Sequence, residues 1–268
     1  MTIKPEDVRK HLETRNNSEE AVAGGAPASA EESLVQVAPA VEAAKENAIL
    51  ESISASYFGL RRGLAALAFA LPILLWLGAG YDHLQGSISA YYHFFYSAAG
   101  DLRYGGGAVR DVLVGILCAA GAALYFYKGY GWKENLALNI AGIAAILLAL
   151  APMDWPHTSP DQKSLLSFLH TGAAIVFFLA IAYVCLFCSG ETLELMKEDD
   201  ERRLRFKRAY TVLGTLMIVL PLTVVGLDYL MPDQAVSYVT FAIEVVAIYV
   251  FATFWVVKSR EIAIIQRQ

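Results

Sequence analysis

Six long apolar runs constrain this chain more than any other feature of its sequence. Each is close to the roughly twenty residues that an α-helix needs to cross about 30 Å of hydrocarbon. One soluble core could not bury so much apolar surface. The runs therefore predict an all-α fold, a polytopic transmembrane bundle of six helices. Their approximate positions are 62–80, 110–128, 134–152, 166–188, 209–231 and 235–257.

Residues 1–55 differ in composition from the membrane domain, 56–268. They hold ten acidic and five basic residues and no aromatic residue. Such a segment buries too little apolar surface to fold alone, so we expect a mostly disordered or partly helical tail, with 33–50 as a candidate helix. Because sixteen bases balance sixteen acids in the membrane domain, the whole net charge of -5 belongs to the tail. A soluble partner for this acidic tail is one interpretation of it.

Lysine and arginine predict the orientation of the bundle. With both termini in the cytoplasm, thirteen of these residues flank the inner ends of the helices and three lie in the outer loops. This bias follows the positive-inside rule and predicts a multi-pass protein of a bacterial inner (cytoplasmic) membrane. The densest basic stretch, 202–208, is typical of a collar at the membrane surface rather than of a nucleic-acid site, so we expect no nucleic-acid partner.

Histidine and aspartate collect on the opposite side of the predicted topology. A layer rich in imidazole and carboxylate can hold a divalent metal or relay protons, although short polar loops also favour aspartate. The histidines of this outer layer are His83, His93, His157 and His170, and its aspartates are Asp82, Asp101, Asp111, Asp154, Asp161, Asp228 and Asp233.

Three ionisable residues fall inside the apolar runs. His170 lies near the outer end of the fourth helix, Asp228 near that of the fifth, and Glu244 about nine residues into the sixth. An ionisable group in hydrocarbon costs a few kcal/mol even on the lenient insertion scales, so each is a candidate functional residue. The structural alternatives are a protonated, hydrogen-bonded Glu244 and a His170 bonded to a neighbouring carbonyl.

The first outer loop is too polar to span the membrane and too aromatic for a free loop. Its segment 86–96 should lie in the interface or re-enter the bundle. Ser89 and His93 are four residues apart and would share one face of a helix. Asp101 follows, and the pair Arg110-Asp111 begins the second helix.

Several of these motifs carry a resemblance to a known family. They are Ser87-Ile-Ser-Ala-Tyr-Tyr-His93, Arg110-Asp-Val-Leu-Val-Gly-Ile-Leu117, Tyr127-Lys-Gly-Tyr130, the end of the third helix at Pro152, and Leu169-His170. Together they resemble an uncharacterised family of six-helix bacterial integral membrane proteins. The resemblance covers roughly residues 60–190 and brings no activity with it.

The element Ser89-x-x-x-His93 is also similar to that of the alkaline ceramidase and CREST superfamily of membrane hydrolases, which hold zinc with three histidines near an aspartate. The resemblance implies metal-assisted hydrolysis of a lipid amide or ester, with Zn as the cofactor. The implied roles are zinc ligation by His93, His170 and His157 or Asp154, carbonyl polarisation by Ser89, and general-base catalysis by Asp101 or Glu244. That superfamily has seven helices and a His-x-x-x-His pair in the last, whereas the sixth helix here has no histidine.

Two other functions fit the same residues. A non-catalytic scaffold or accessory subunit would pack its helices against other membrane-protein subunits. A proton-coupled transporter would use Glu244, Asp228 and His170 along a polar path toward Asn139. No haem or nucleotide is expected, because one histidine lies within a span and no phosphate loop or dinucleotide motif occurs. Cys185-x-x-Cys188, without a second pair, favours inert thiols.

Overall fold

The structure is a computed structural model that describes residues 28–80, 83–94, 107–154, 164–196, 201–230 and 238–266, without the side chains of 28–40, 228 and 229. Contacts divide the chain into two units, Met1–Ser56 and Tyr57–Gln268. Within the described ranges every regular element is helical, which confirms the all-α prediction. The elements are α1 (Ala28–Ala79), a 3-10 helix (Ser89–His93), α2 (Ala108–Phe126), α3 (Trp132–Leu150), α4 (Leu165–Tyr183), a π-helical turn (Val184–Cys188), α5 (Ser189–Leu193), α6 (Glu201–Leu230) and α7 (Tyr238–Ile265).

Six stretches of the described chain are helices long and apolar enough to cross a membrane. Large apolar side chains also cover the outside of the bundle: Phe126 is 74% exposed, Phe168 63% and Phe187 68%. Apolar surface on that scale is suited to lipid rather than water. The chain is therefore an integral membrane protein, as the apolar runs predict. The six stretches are Val41–Ala79, Ala108–Phe126, Trp132–Leu150, Leu165–Leu193, Glu201–Leu227 and Tyr238–Ile265.

Several helices extend beyond the apolar runs that predict them. α6 begins at Glu201 and α7 ends at Ile265, because charged residues can continue a helix once it leaves the hydrocarbon. The ion pair between Arg205 and Glu201, one turn apart, supports the start of α6. In the tail, α1 covers the candidate helix 33–50. Residues 1–27 lie outside the described part of the chain.

α2 and α3 form a tight antiparallel hairpin. Small residues recur in both helices and predict close packing of membrane helices: Gly115, Ala119, Gly121 and Ala123 in α2, and Gly142, Ala144 and Ala145 in α3. A Cβ atom on Gly121 would lie 2.7 Å from the carbonyl oxygen of Gly142, and one on Gly142 would lie 2.6 Å from that of Gly121. The two backbones touch at this point, so only glycine fits at either position.

The bundle has two ends, named here after Ser89 and Lys258. At the Lys258 end, the Arg61 guanidinium donates to the Tyr127 hydroxyl over 2.8 Å between Nε and Oη. Burial raises the pKa of Tyr127, against the opposing effect of Arg61, so its hydroxyl remains neutral. Lys258 lies beside Glu261, with 3.5 Å between Nζ and Oε2. Buried polar pairs therefore occupy this end of the bundle, while the candidate site occupies the other.

Candidate functional site at the Ser89 end

Ser89 and His170 form a hydrogen-bonded pair between the 3-10 helix and α4. The Ser89 Oγ atom lies 2.9 Å from His170 Nε2, and His170 Nδ1 lies 2.7 Å from the carbonyl oxygen of Ala151. Ala151 comes within reach of His170 because α3 ends at Leu150 and the residues that follow it contact the first turns of α4. Both ring nitrogens of His170 thus have a partner.

The partners of His170 assign its tautomer. A carbonyl oxygen can only accept, so Nδ1 carries the proton that bonds to Ala151. Nε2 then presents its lone pair and accepts the hydroxyl proton of Ser89. A serine hydroxyl that donates to a histidine, with the histidine held from its far side by a third group, is the arrangement of an activated nucleophile.

Glu244 of α7 fixes the segment that carries Ser89. Both carboxylate oxygens accept from the Ser87 hydroxyl, at 2.9 and 2.8 Å from Oγ, and Oε2 also accepts from the Ile88 amide. The Ser89 amide in turn donates to Ser87 Oγ over 3.1 Å. Glu244 therefore contacts the backbone and the neighbouring serine, rather than the Ser89 hydroxyl itself.

Tyr91 also anchors the segment that carries Ser89, through its buried ring. Its ring is fully buried among Leu71, Leu75 and Leu113, and its hydroxyl accepts from the Gln85 amide. Burial raises the pKa of Tyr91, so the hydroxyl remains neutral there. The described part of the aromatic loop, which the sequence predicts to lie in the interface or to re-enter the bundle, thus packs into the end of the bundle.

Below this segment lies an apolar cavity of about 210 Å³. All six spanning helices line it, and its polar side chains are Ser89, Tyr92, His170, Thr171 and Glu244. The rest of the lining consists of aliphatic and aromatic residues and Pro221, past which α6 continues as a helix. An apolar cavity of roughly 150 Å³ already holds a benzene-sized molecule. This one has room for part of an alkyl chain, with Ser89 and His170 beside it.

Two other residues of the predicted outer layer, His93 and Asp154, belong to or contact the same segment 151–154 that holds His170, whereas Arg110 and Asp111 pair with each other. His93 Nε2 lies 2.6 Å from the carbonyl oxygen of Met153. The Asp154 carboxylate accepts from the hydroxyl and the amide of Ser164, which caps α4. The adjacent residues Arg110 and Asp111 form an ion pair, with 3.0 Å between Nη2 and Oδ1. Asp154 thus holds the start of α4, and through it the position of His170.

The predicted zinc ligands do not form a metal site in the described part of the chain. No group of three or more His, Cys, Asp or Glu side chains there could hold a metal ion. His170 already uses both ring nitrogens, so it fits a base better than a ligand. His157 and Asp101 lie outside the described residues, as does the side chain of Asp228 in α6. The zinc hypothesis stays a prediction.

Sequence reasoning missed two groups of this site. Ser87 lies in the motif 87–93 and had no predicted role, although a second serine two residues before Ser89 is a signal that could have identified it. Ala151 contributes only its backbone carbonyl, for which the sequence carries no signal. The partner of Ser89 also differs from the predicted neighbour His93, because the segment is a 3-10 helix, in which residues three apart, not four, are aligned.

No family model, curated protein or solved structure matches the chain. The fold and the site therefore define its class by themselves. It is a six-helix membrane bundle with a serine–histidine pair above an internal apolar cavity.

Proposed function

We propose that this protein is a membrane hydrolase that cleaves an ester or amide bond of an acyl lipid, with Ser89 as nucleophile and His170 as general base. The observation that carries the proposal is the chain of hydrogen bonds from Ser89 Oγ through the His170 ring to the Ala151 carbonyl. Its position at the edge of an apolar cavity supports a substrate with an alkyl chain.

The reaction follows from the protonation states of the pair. Ser89 Oγ attacks the carbonyl carbon of the lipid while His170 Nε2 takes the hydroxyl proton. His170 then gives that proton to the departing alcohol or amine, which leaves an acyl ester on Ser89. A water molecule, deprotonated by His170, then attacks the acyl ester. The bond between the acyl carbon and Ser89 Oγ breaks, His170 returns the proton to Oγ, and the fatty acid is released. The Ala151 carbonyl keeps the ring oriented and stabilises its positive charge.

The lining of the cavity favours this function over a proton-coupled transporter. A transporter needs a continuous polar path, whereas the described lining beyond Glu244 is apolar. An apolar chamber that begins at a polar pair suits a molecule with a polar carbonyl and an apolar tail. Membrane lipids are therefore the proposed partners.

The charge bias supports a location of this activity in a bacterial inner membrane, with both termini in the cytoplasm. In that orientation the Ser89 end faces outward, so the substrate would come from the outer leaflet.

The test is covalent labelling of the detergent-purified full chain with a fluorophosphonate that carries a decyl tail. Such a probe reacts with a serine only where a base activates the hydroxyl. We expect one label, located on Ser89 by peptide mass spectrometry, and none in Ser89→Ala. In His170→Gln labelling should slow by about 10²–10⁴-fold, the usual contribution of a general base.

The matched control is Ser259→Ala, which removes a hydroxyl bonded to the Trp255 carbonyl at the Lys258 end. It should label like the wild type. Ala174→Phe, which fills the cavity, should slow the decyl probe but not a short ethyl probe. Labelling on another serine, or equal labelling in His170→Gln, would reject the proposal. Stoichiometric zinc in the purified protein, lost in His93→Ala, would favour the zinc-dependent alternative.

A further inference from the structure

A second pocket lies at the Lys258 end of the bundle, far along the chain from Ser89. Its volume is about 420 Å³, and it opens between α6 and the segment that joins α4 to α5. Its lining is Cys185, Leu186, Ser189, Gly190, Leu193, Glu194, Arg203, Leu204, Lys207 and Thr211. The proposed hydrolase uses none of these residues.

The pocket exists because two helices touch at one level and separate at the next. At Gly214 a Cβ atom would lie 2.7 Å from Leu186 Cγ and 2.9 Å from Cys185 Cβ, so α6 and the π-helical turn Val184–Cys188 are in close contact there. The pocket opens one turn and more toward the start of α6, where Thr211, Lys207 and Arg203 face the α5 side of the lining. A Cβ atom on Gly190 would meet nothing within 4 Å.

The charge of the pocket comes from one face of α6. Arg203 and Lys207 are four residues apart and both line the pocket, so two positive charges stand on neighbouring turns. Neither forms an ion pair with any side chain that the structure describes, unlike Arg205, which pairs with Glu201. Two like charges at this spacing repel each other, and an anion between them would remove that repulsion. Glu194 is the single acidic residue of the lining.

We propose that this pocket binds a phosphate group, carried either by an anionic lipid headgroup or by a small phosphorylated solute. Arginine offers a planar, bidentate donor and lysine a compact point charge, the two ways in which proteins hold phosphate. Leu186, Leu193 and Leu204 line the same space and would contact the apolar part of a lipid. Basic pockets between helices at a membrane surface are suited to such headgroups. This proposal stands apart from the hydrolase proposal.

The test measures lipid retention by native mass spectrometry on the full chain in detergent, with phosphatidylglycerol and with zwitterionic phosphatidylcholine. We expect one retained phosphatidylglycerol. Arg203→Gln and Lys207→Gln should each weaken its binding about fivefold, since one basic group near a lipid surface contributes about that factor. Glu194→Gln should strengthen binding by a similar factor, because it removes a repulsive charge.

The control is Arg208→Gln, which removes the same charge from an exposed position outside the pocket. It should leave binding unchanged. Gly190→Phe should block the pocket with all charges kept, and thermal unfolding checks that each variant is folded. Competition by glycerol phosphate would identify the phosphate group itself as the ligand, whereas no competition would identify the lipid. Equal loss in Arg208→Gln and Lys207→Gln, or full retention in Gly190→Phe, would overturn the proposal.

Discussion

Lys258 and Glu261 show what a buried ion pair requires inside a membrane bundle. Lys258 is 2% exposed and Glu261 is fully buried. The Lys258 Nζ atom lies 3.5 Å from Glu261 Oε2 and donates to Thr192 Oγ1 over 2.8 Å, and the Tyr210 hydroxyl donates to the same carboxylate. Each charge is stable only because the other is present, since an unpaired buried charge is costly.

Removing one partner should therefore cost more than removing both. We expect Lys258→Met to destabilise the protein by about 3–5 kcal/mol, because it leaves the Glu261 carboxylate buried without its cation. Adding Glu261→Gln should recover most of that loss, since the amide oxygen can still accept from Tyr210. Thermal unfolding of the two single variants and the double variant in detergent measures the difference. Additive losses would show that the two side chains do not depend on each other.

The pairing of Ser89 with His170 marks the limit of sequence reasoning at the residue scale. Both residues could be selected, because each is a polar group within or against an apolar run. The contact between them could not be predicted, because helical spacing indicates only contacts within one element. Ser89 meets a side chain 81 residues away, and that contact depends on how the 3-10 helix packs against α4. Glu244 could be selected as well, but not its bonds to Ser87 and Ile88.

At the scale of the helices, the α2–α3 hairpin depends on two facing glycines. A methyl group on Gly142 would lie 2.6 Å from the Gly121 oxygen and 2.8 Å from the Tyr125 nitrogen. These are backbone atoms, so they cannot move aside as a flexible side chain can. Gly142→Ala should therefore force α2 and α3 apart and destabilise the protein by about 1–3 kcal/mol, the usual cost of overpacking. Thermal unfolding in detergent is the measurement.

The same helix pair supplies a control, because a Cβ atom on Gly115 of α2 would meet nothing within 4 Å. Alanine is the better helix former by about 0.5–1 kcal/mol, so Gly115→Ala should leave stability unchanged or raise it. An equal loss in Gly115→Ala and Gly142→Ala would mean that backbone contact is not what holds the hairpin.

Much of the helical architecture follows directly from the sequence. Apolar length predicts six spans, and small residues predict the α2–α3 hairpin, because both depend on local composition. The π-helical turn Val184–Cys188 has no such signal. It packs against α6 at Gly214 and continues into α5, which is a property of two elements together. The start of α6 at Glu201 could not be predicted from apolar length, because its first turns are charged rather than apolar.

At the scale of the whole molecule, six helices enclose one apolar cavity and place polar groups at its Ser89 end. Because every spanning helix contributes to the lining, the cavity depends on the assembled bundle and not on any hairpin alone. The opposite end holds the buried ion pair and the basic pocket. The two ends therefore differ in chemistry, and orientation in the membrane decides which leaflet each one meets.

Orientation can be tested with reporter fusions to the full chain. Thirteen basic residues at one side against three at the other predict that the Lys258 end and both termini lie in the cytoplasm. Green fluorescent protein fused after Gln268 should fluoresce, and alkaline phosphatase fused there should be inactive. Alkaline phosphatase inserted within 155–163, between α3 and α4, should be active, because the flanking residues Asp154 and Ser164 lie at the Ser89 end.

The reverse pattern would contradict the predicted orientation without touching the pairing of Ser89 with His170. Hydrogen bonds within the bundle do not depend on which side is outside, so labelling of Ser89 would be unchanged. The source of the substrate would change instead, because the Ser89 end would draw acyl lipids from the inner leaflet. The basic pocket would then face outward, where anionic headgroups meet it from the other leaflet. Reporter activity and Ser89 labelling therefore separate where the reaction occurs from which residues carry it out.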